Sequence, residues 1–334
     1  MTSERRAGLA GWFVAALVAA WLPTRVDAAA TGGGEPFPGG RGVRMVIPFP
    51  PGGGNDIFGR FLVNSLSEGF APGSVADNRG GAGTVIGTEI ASRGNPDGHT
   101  LLIVSVPFVV LNALYPDLKL DVIRDFEPVI HAGSSPSMML VPAASPYASV
   151  KEFLVAVRAK PGGMVYASSG NGSSTHLIME LFKSLTKTEI VHVPYKGGAP
   201  AMTALAAGQV PVHFSNPQTA AAFMKSGRVR ALAVTAPARL KAFPDIPTLA
   251  EAGVPGCESG VFWGVAAPAK TPQTIIVKLN VEFNRILGTK ELRAHFAAQD
   301  IDLVGGSPEQ FGSFLRKEVA LWSKVIRAAN IKAD

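Results

Sequence analysis

The stretch Pro48-Phe-Pro-Pro-Gly-Gly-Gly-Asn-Asp56 restricts the fold of this chain more than any other. Met45 to Phe49 reads as a buried strand, the Pro/Gly run as a turn, and Asn55 or Asp56 as the opening of a helix. Ile57, Phe58, Phe61, Leu62 and Leu66 recur at helical spacing, so this helix lays one face on a core. Three glycines just ahead of a helix let successive backbone N–H groups turn toward one point. The unpaired amides of the first helical turn and the positive end of the helix dipole face the same way. Such a unit either reverses the chain tightly or holds an anionic group, and these residues fit both roles. No Lys-Ser/Thr follows the glycines, which excludes a nucleotide P-loop.

The N-terminus has a different character. Arg5 and Arg6 precede an apolar run from Leu9 to Leu22, then Pro23 and the small residues Ala28-Ala29-Ala30. The run is shorter than the roughly 20 apolar residues that span a bilayer. Its order, basic then apolar then small, is that of a secretory signal peptide over residues 1–30, cleaved after Ala28 or Ala30. The paired arginines also admit twin-arginine export. Residues 31–42, rich in Gly and Pro, read as a flexible leader. Export follows, with a soluble mature chain. Cys257 is the only cysteine, so no internal disulfide is available and packing alone must hold the fold.

A length of 334 residues accommodates two domains, each with its own core. The formal charge is +6; residues through Ala28 hold three arginines against Glu4 and Asp27, leaving +5 for the remainder. Its basic residues are scattered, the densest pieces being Arg228-Val-Arg230 and Arg239-Leu-Lys241. No basic stripe or nucleic-acid module is present, which argues against nucleic acid as a partner. A mild positive field suits a small acidic ligand.

Further strand–loop–helix units follow. Asp77-Asn-Arg-Gly-Gly-Ala-Gly-Thr-Val-Ile-Gly87 approaches a dinucleotide fingerprint, but its glycine spacing is one residue too long, and a helix rather than a strand is expected ahead of it. A glycine turn into a helix over residues 84–92 is the reading adopted. Asn95-Pro-Asp-Gly98 is a turn signal, and residues 100–106 read as a buried strand. Ser149-Val-Lys-Glu152 and Ser307-Pro-Glu-Gln310 are capping boxes, and Thr248-Leu-Ala-Glu251 reads as the cap of a short helix. Ser168-Ser-Gly-Asn-Gly-Ser-Ser-Thr-His176 links a strand to a helix through glycines and hydroxyls. Tyr195-Lys-Gly-Gly-Ala-Pro-Ala201 repeats the pattern with paired glycines. Strands alternating with helices argue for parallel α/β layers. Ligands of such sheets sit beyond the carboxyl ends of the strands. Three glycine loops from two halves of the chain would therefore converge on a cleft.

Reaction chemistry finds little support. His99, His131, His176, His192, His213 and His295 show no metal-ligand spacing, and one cysteine adds none, so no metal or cofactor is expected. His176 lies near Ser173 and Ser174, which leaves a serine–histidine hydrolase as an alternative. No G-x-S-x-G elbow surrounds either serine, and neighbours in one loop rarely reach attack geometry.

Seven motifs stand in order: Val46-Ile-Pro-Phe-Pro-Pro-Gly-Gly-Gly-Asn-Asp56, Asn78-Arg-Gly-Gly-Ala-Gly83, Asn95-Pro-Asp-Gly-His-Thr-Leu-Leu102, Val193-Pro-Tyr-Lys-Gly-Gly-Ala-Pro200, Arg230-Ala-Leu-Ala-Val-Thr235, Pro244-Asp-Ile-Pro-Thr-Leu-Ala-Glu-Ala-Gly253 and Trp263-Gly-Val-Ala-Ala-Pro268. From about Arg44 to the C-terminus the chain resembles the Bug-type extracytoplasmic solute receptors of tripartite tricarboxylate transporters. The resemblance implies an α/β fold of the type II periplasmic binding protein kind. Two α/β domains would be joined by two crossing strands, near Met138–Val141 and Val261–Ala267, with a ligand cleft between them. Residues 43–139 with 263–334 would form one domain and 140–262 the other.

The resemblance further implies the periplasm as destination and a monomeric, non-enzymatic receptor that closes on a small carboxylate: a di- or tricarboxylate, an acidic amino acid or an aromatic acid. Its partners would be membrane permease subunits or, alternatively, a membrane sensor kinase. One carboxylate would be held by Phe49, Gly53, Gly54, Asn55 and Asp56 with Tyr195, Gly197, Gly198 and Ala199, largely through backbone N–H groups. Ser169, Gly172, Ser173 and Thr175 would hold the other end of the ligand. Where the family carries small hydroxyl residues after the Leu-Leu strand, this chain has Val104-Ser-Val-Pro-Phe-Val-Val-Leu-Asn112. Only Ser105 keeps a hydroxyl there. Val106, Pro107 and Phe108 would make an apolar wall that favours an aliphatic or aromatic ligand body, or would pack into the core.

Overall fold

The structure, a computed structural model, describes residues 37–332. The expected signal peptide (1–30) and the first part of the leader lie outside the described residues. The leader's last residues belong to the packed body: the Phe37 ring sits 5.9 Å from Phe70 and 5.1 Å from His99, so packing begins ahead of Val43.

The chain opens with β1 (Arg44–Ile47), α1 (Gly54–Gly69), β2 (Val75–Asn78), a 3-10 turn (Ala82–Thr84), α2 (Val85–Ser92), β3 (Thr100–Val104), α3 (Val106–Leu114) and β4 (Phe126–Pro136). It continues through β5 (Met138–Pro142), α4 (Val150–Ala159), β6 (Val165–Ser168), α5 (Ser174–Thr186), β7 (Val191–Pro194), α6 (Gly198–Ala206), β8 (His213–Ser215), α7 (Pro217–Lys225) and β9 (Val229–Val234). It ends with β10 (Gly260–Pro268), α8 (Gln273–Leu287), α9 (Lys290–Ala297), β11 (Asp302–Leu303) and α10 (Pro308–Ala328).

The strands form two sheets, six-stranded in the order β11-β4-β10-β3-β1-β2 and five-stranded in the order β7-β6-β8-β5-β9. Each nucleates a domain. Both sheets are mixed rather than parallel throughout. β1 runs parallel to β2 and β3, and β6 parallel to β7 and β8. β10 is antiparallel to β3 and β4, while β5 is antiparallel to β8 and β9. The antiparallel members are the strands by which the chain leaves one sheet and re-enters the other.

Several elements depart from the sequence reading. The strand expected through Val106 ends at Val104, and Val106 opens helix α3 (Val106–Leu114), capped at Ser105 with Pro107 in its first turn. An apolar run with no alternation fits a buried strand or a buried helix, and the early proline was the cue. β2 directly precedes the Gly80-Gly81 turn, so glycine spacing, and not a missing strand, separates it from a dinucleotide fingerprint. Residues Thr248 to Glu251 exchange both capping bonds, 2.8 and 3.0 Å, yet close a turn rather than a helix. The Ser307 capping box is reciprocal as expected.

Helix α10 illustrates how periodicity becomes packing. Phe311, Leu315, Trp322 and Ile326 share one face, and all are buried. That face packs on α3 beside the six-stranded sheet and on α5 beside the five-stranded one. Gly264 of β10 makes room for it, since a Cβ there would lie 2.1 Å from the Phe311 ring.

The crossings are fastened at one point. The Thr235 hydroxyl accepts the Ser137 amide at 2.8 Å and donates to the Ser259 carbonyl. The Thr235 amide donates to the Ser137 carbonyl at 2.8 Å. Ser137 is the residue between β4 and β5, Thr235 follows β9, and Ser259 precedes β10, so one threonine ties both connections. Across the gap, Gln218 of α7 donates to the Gln299 carbonyl. Thr235→Val would leave the buried Ser137 amide without its acceptor. The expected cost is about 1–3 kcal/mol of unfolding free energy, read from urea denaturation.

Candidate ligand-binding site

At the carboxyl ends of the strands, loops from both sheets enclose two adjoining cavities. One, about 320 Å³, is polar. Gly54 and Asn55 open α1 there, Ser174 and Thr175 open α5, Gly198 opens α6, and Asn216 caps α7. Four helix starts therefore present amides to one chamber. Its remaining walls are Ser137, Ser169, His213, Ser215, Thr219, Val261 and Trp263. The other cavity, about 480 Å³, has apolar walls from Pro48, Phe49, Pro107, Val110 and Leu114, closed by Gly81–Thr84, Tyr115 and Gly170–Ser173. No Lys, Arg, Asp or Glu lines either one.

The expected site residues distribute as follows. Gly54, Asn55, Ser169, Thr175 and Gly198 line the polar chamber; Phe49, Gly172 and Ser173 line the apolar one. Gly53 and Gly197 are the N-cap residues of α1 and α6 and line neither cavity, and the same holds for Tyr195 and exposed Ala199. Ser105 is fully buried outside both cavities, with its hydroxyl unpartnered. Of the expected apolar wall, Val106 and Phe108 are buried in the core behind α3, and only Pro107 faces the cavity.

Asp56 is a fastener of the loop. Its buried carboxylate accepts from the Gly52 amide at 2.8 Å, Asn78 Nδ2 at 2.7 Å and Arg60 Nε at 2.9 Å. Asn78 also donates to the Phe49 carbonyl at 3.0 Å, which ties the end of β2 to the same loop. Burial acts to raise the Asp56 carboxyl, but bonds from Asn78, Gly52 and Arg60 outweigh it and hold it below the ordinary 3.8. The glycine turn is thus shaped from behind by a charge that faces away from the chamber.

The Ser168–His176 loop is knitted in the same manner. Thr175 Oγ1 accepts the Ser169 amide at 2.9 Å, the Ser173 hydroxyl donates to the Gly170 carbonyl at 2.6 Å, and His176 Nδ1 accepts the Gly172 amide at 3.1 Å. His176 stacks on His192 at 3.9 Å, and His192 on Tyr166 at 4.8 Å. Burial, with the charges of His192 and Lys183, pushes His176 down to about 3, so it is a neutral acceptor. The serine–histidine alternative does not assemble: Ser173 is committed to Gly170, and the His176 ring to Gly172. A second pair, Ser168 Oγ and His192 Nε2 at 2.6 Å, lies under the loop, with Ser168 fully buried.

Ser137, His213, Ser215, Asn216, Thr219 and Trp263 were not legible as site residues. The cue for Ser215–Thr219 was present, a strand end leading into an Asn-Pro helix start, but without glycines. His213 on β8 and Trp263 on β10 belong to different sheets, and only the tertiary fold brings them to one chamber.

Two mixed α/β domains tied by crossing strands, closing on a neutral cleft rich in helix N-termini, define a binding protein of the type II periplasmic kind. Residues 58–331 match the family model described as tripartite tricarboxylate transporter family receptor. Protein BugT of Bordetella pertussis is 35% identical over 87% of this chain and 90% of its own length. Among solved structures, Rhodopseudomonas palustris Rpa4515 with adipate is 34% identical, covers 87% of this chain and 98% of its own, and superposes with a TM-score of 0.77. MatC (Rpa3494) from the same organism, with bound malate, is 28% identical over 86% of this chain and 99% of its own, with a TM-score of 0.75. The chain belongs to the tripartite tricarboxylate transporter receptor family, whose members are periplasmic solute-binding receptors and not enzymes. No helix among the described residues is long and apolar enough to cross a membrane.

Asp56→Asn tests the fastener. Because the folded carboxyl titrates below 3.8, its contribution is complete above that value and lost as pH falls through the lower folded value. The variant should lose about 1–3 kcal/mol in urea denaturation at pH 7. The gap between the two proteins should narrow as the measurement moves below pH 3.8.

Proposed function

We propose that this protein is a periplasmic receptor that captures a small carboxylate by domain closure and hands it to the membrane subunits of a tripartite tricarboxylate-type permease. The observation carrying this reading is the polar chamber at which α1, α5, α6 and α7 begin, lined by no charged side chain. Helix-terminal amides and hydroxyls donate to a carboxylate without the desolvation cost of a buried lysine or arginine. Charge-assisted hydrogen bonds contribute roughly 1.5–3 kcal/mol each. A handful, after association costs, meets the roughly 8 kcal/mol of micromolar binding.

The adjoining cavity supports an aliphatic or aromatic ligand body, since Phe49, Pro107, Val110 and Leu114 line it. The adipate and malate held by relatives agree with a carboxylate as the anchored group. Closure about the Thr235 crossing would bring the two sheets' loops together around the ligand. The basic–apolar–small N-terminus supports export, and the family supports the permease partner.

A panel of mono-, di- and tricarboxylates, read by thermal shift, tests the function. A true ligand at 100 times its Kd stabilises the fold by about 2.7 kcal/mol, and the melting temperature climbs with ligand concentration. Neutral sugars and organic ammonium ions should leave it unmoved. Melting unchanged by every carboxylate would overturn the proposal.

A further inference from the structure

Among the residues lining the polar chamber, His213 is fully buried and its ring has one committed edge. Nδ1 lies 2.9 Å from the Ala167 carbonyl, so Nδ1 must carry the proton and donate it. Nε2 is then a lone-pair acceptor, and it has no partner in the protein. Burial pushes the ring down to about 4, so Nε2 stays unprotonated at neutral pH. On the same chamber the buried Trp263 Nε1–H is an orphan donor. Asn55 Oδ1 is also unpartnered, but its amide can turn either face to a ligand. His213 has no such freedom, because flipping its ring would set a carbon against the Ala167 oxygen.

A buried acceptor without a donor costs free energy that its complement recovers. An unsubstituted carboxylate offers only acceptors. It satisfies the Trp263 N–H and the helix-terminal amides, yet sets lone pair against lone pair at His213. We propose that His213 is a specificity residue that selects a carboxylate bearing its own O–H or N–H donor next to the anchored group, a hydroxy acid in the first instance. This deepens the receptor reading and rests on it. Trp263 Nε1–H would meet an oxygen of the carboxylate while His213 Nε2 receives the substituent's proton. The chamber then has a matched donor and acceptor side.

Matched pairs that differ by one hydroxyl test the inference: succinate against malate and phenylacetate against mandelate, by calorimetry on the purified protein. The hydroxy member of at least one pair should bind about tenfold tighter or more, the discrimination expected of a buried acceptor. His213→Leu should erase that difference, and His213→Gln, which offers an amide oxygen, should restore part of it. Nitrogen-15 spectra of the unsubstituted protein give a readout that needs no variant. The His213 Nε2 resonance should move on adding the hydroxy acid and stay in place with its deoxy partner. Equal affinities within every pair, or a hydroxyl preference that persists in His213→Leu, overturns the inference and leaves the carboxylate receptor standing; in the equal case an ordered water serves Nε2. Failure of every acid to bind removes both.

Discussion

The two connections between the sheets are tied through a single side chain, Thr235, and the binding cleft depends on that knot. Its hydroxyl and amide hold Ser137 and Ser259, so the strands leaving and re-entering the six-stranded sheet run side by side through a buried hydrogen-bonded junction. The carboxyl ends of β1, β6, β7 and β8 then look into the same gap, and the helices that follow them deliver their first-turn amides there. A third link, the apolar face of α10, spans α3 and α5 and buries Trp322 at its centre.

Electrostatically, the site works by withholding formal charge. Asp56 and Arg60 sit close to the first glycine turn, but their charges are spent on one another, on Asn78 and on the Gly52 amide. Likewise Glu180 is engaged by Tyr166 and Lys183 behind the second loop. What remains at the chamber is a set of fixed dipoles, backed by charges that do not line it. Such a wall favours an anion without the desolvation cost that a buried formal charge would carry.

The elements differ in how plainly the amino-acid sequence encodes them. α1 announced itself through apolar residues three and four apart, and Ser149 and Ser307 do accept the capping bonds their spacing implied. The strand expected through Val106 stops at Val104, and α3 went unmarked because an unbroken apolar run carries no periodicity. β4 went unmarked because its Pro, Gly and Ser residues weaken any alternation; it is a strand because β10 pairs along its whole length. For the site, the glycine loops were legible by their chemistry. Asp56 illustrates the limit: its type and position fit a ligand contact, and only the three donors around it show that it faces the other way.

The sequence by itself determined where strands hand over to helices with amides unspent, and which family the motifs match. These are local or collinear properties, carried by residues within one turn of each other or in fixed order. The tertiary structure alone decided that Trp263 and His213, far apart in the chain, share one chamber, and that Val106 and Phe108 turn into the core while Pro107 does not. The reason is geometric. Side-chain direction at a strand crossing depends on register between distant segments, and no local pattern encodes that register.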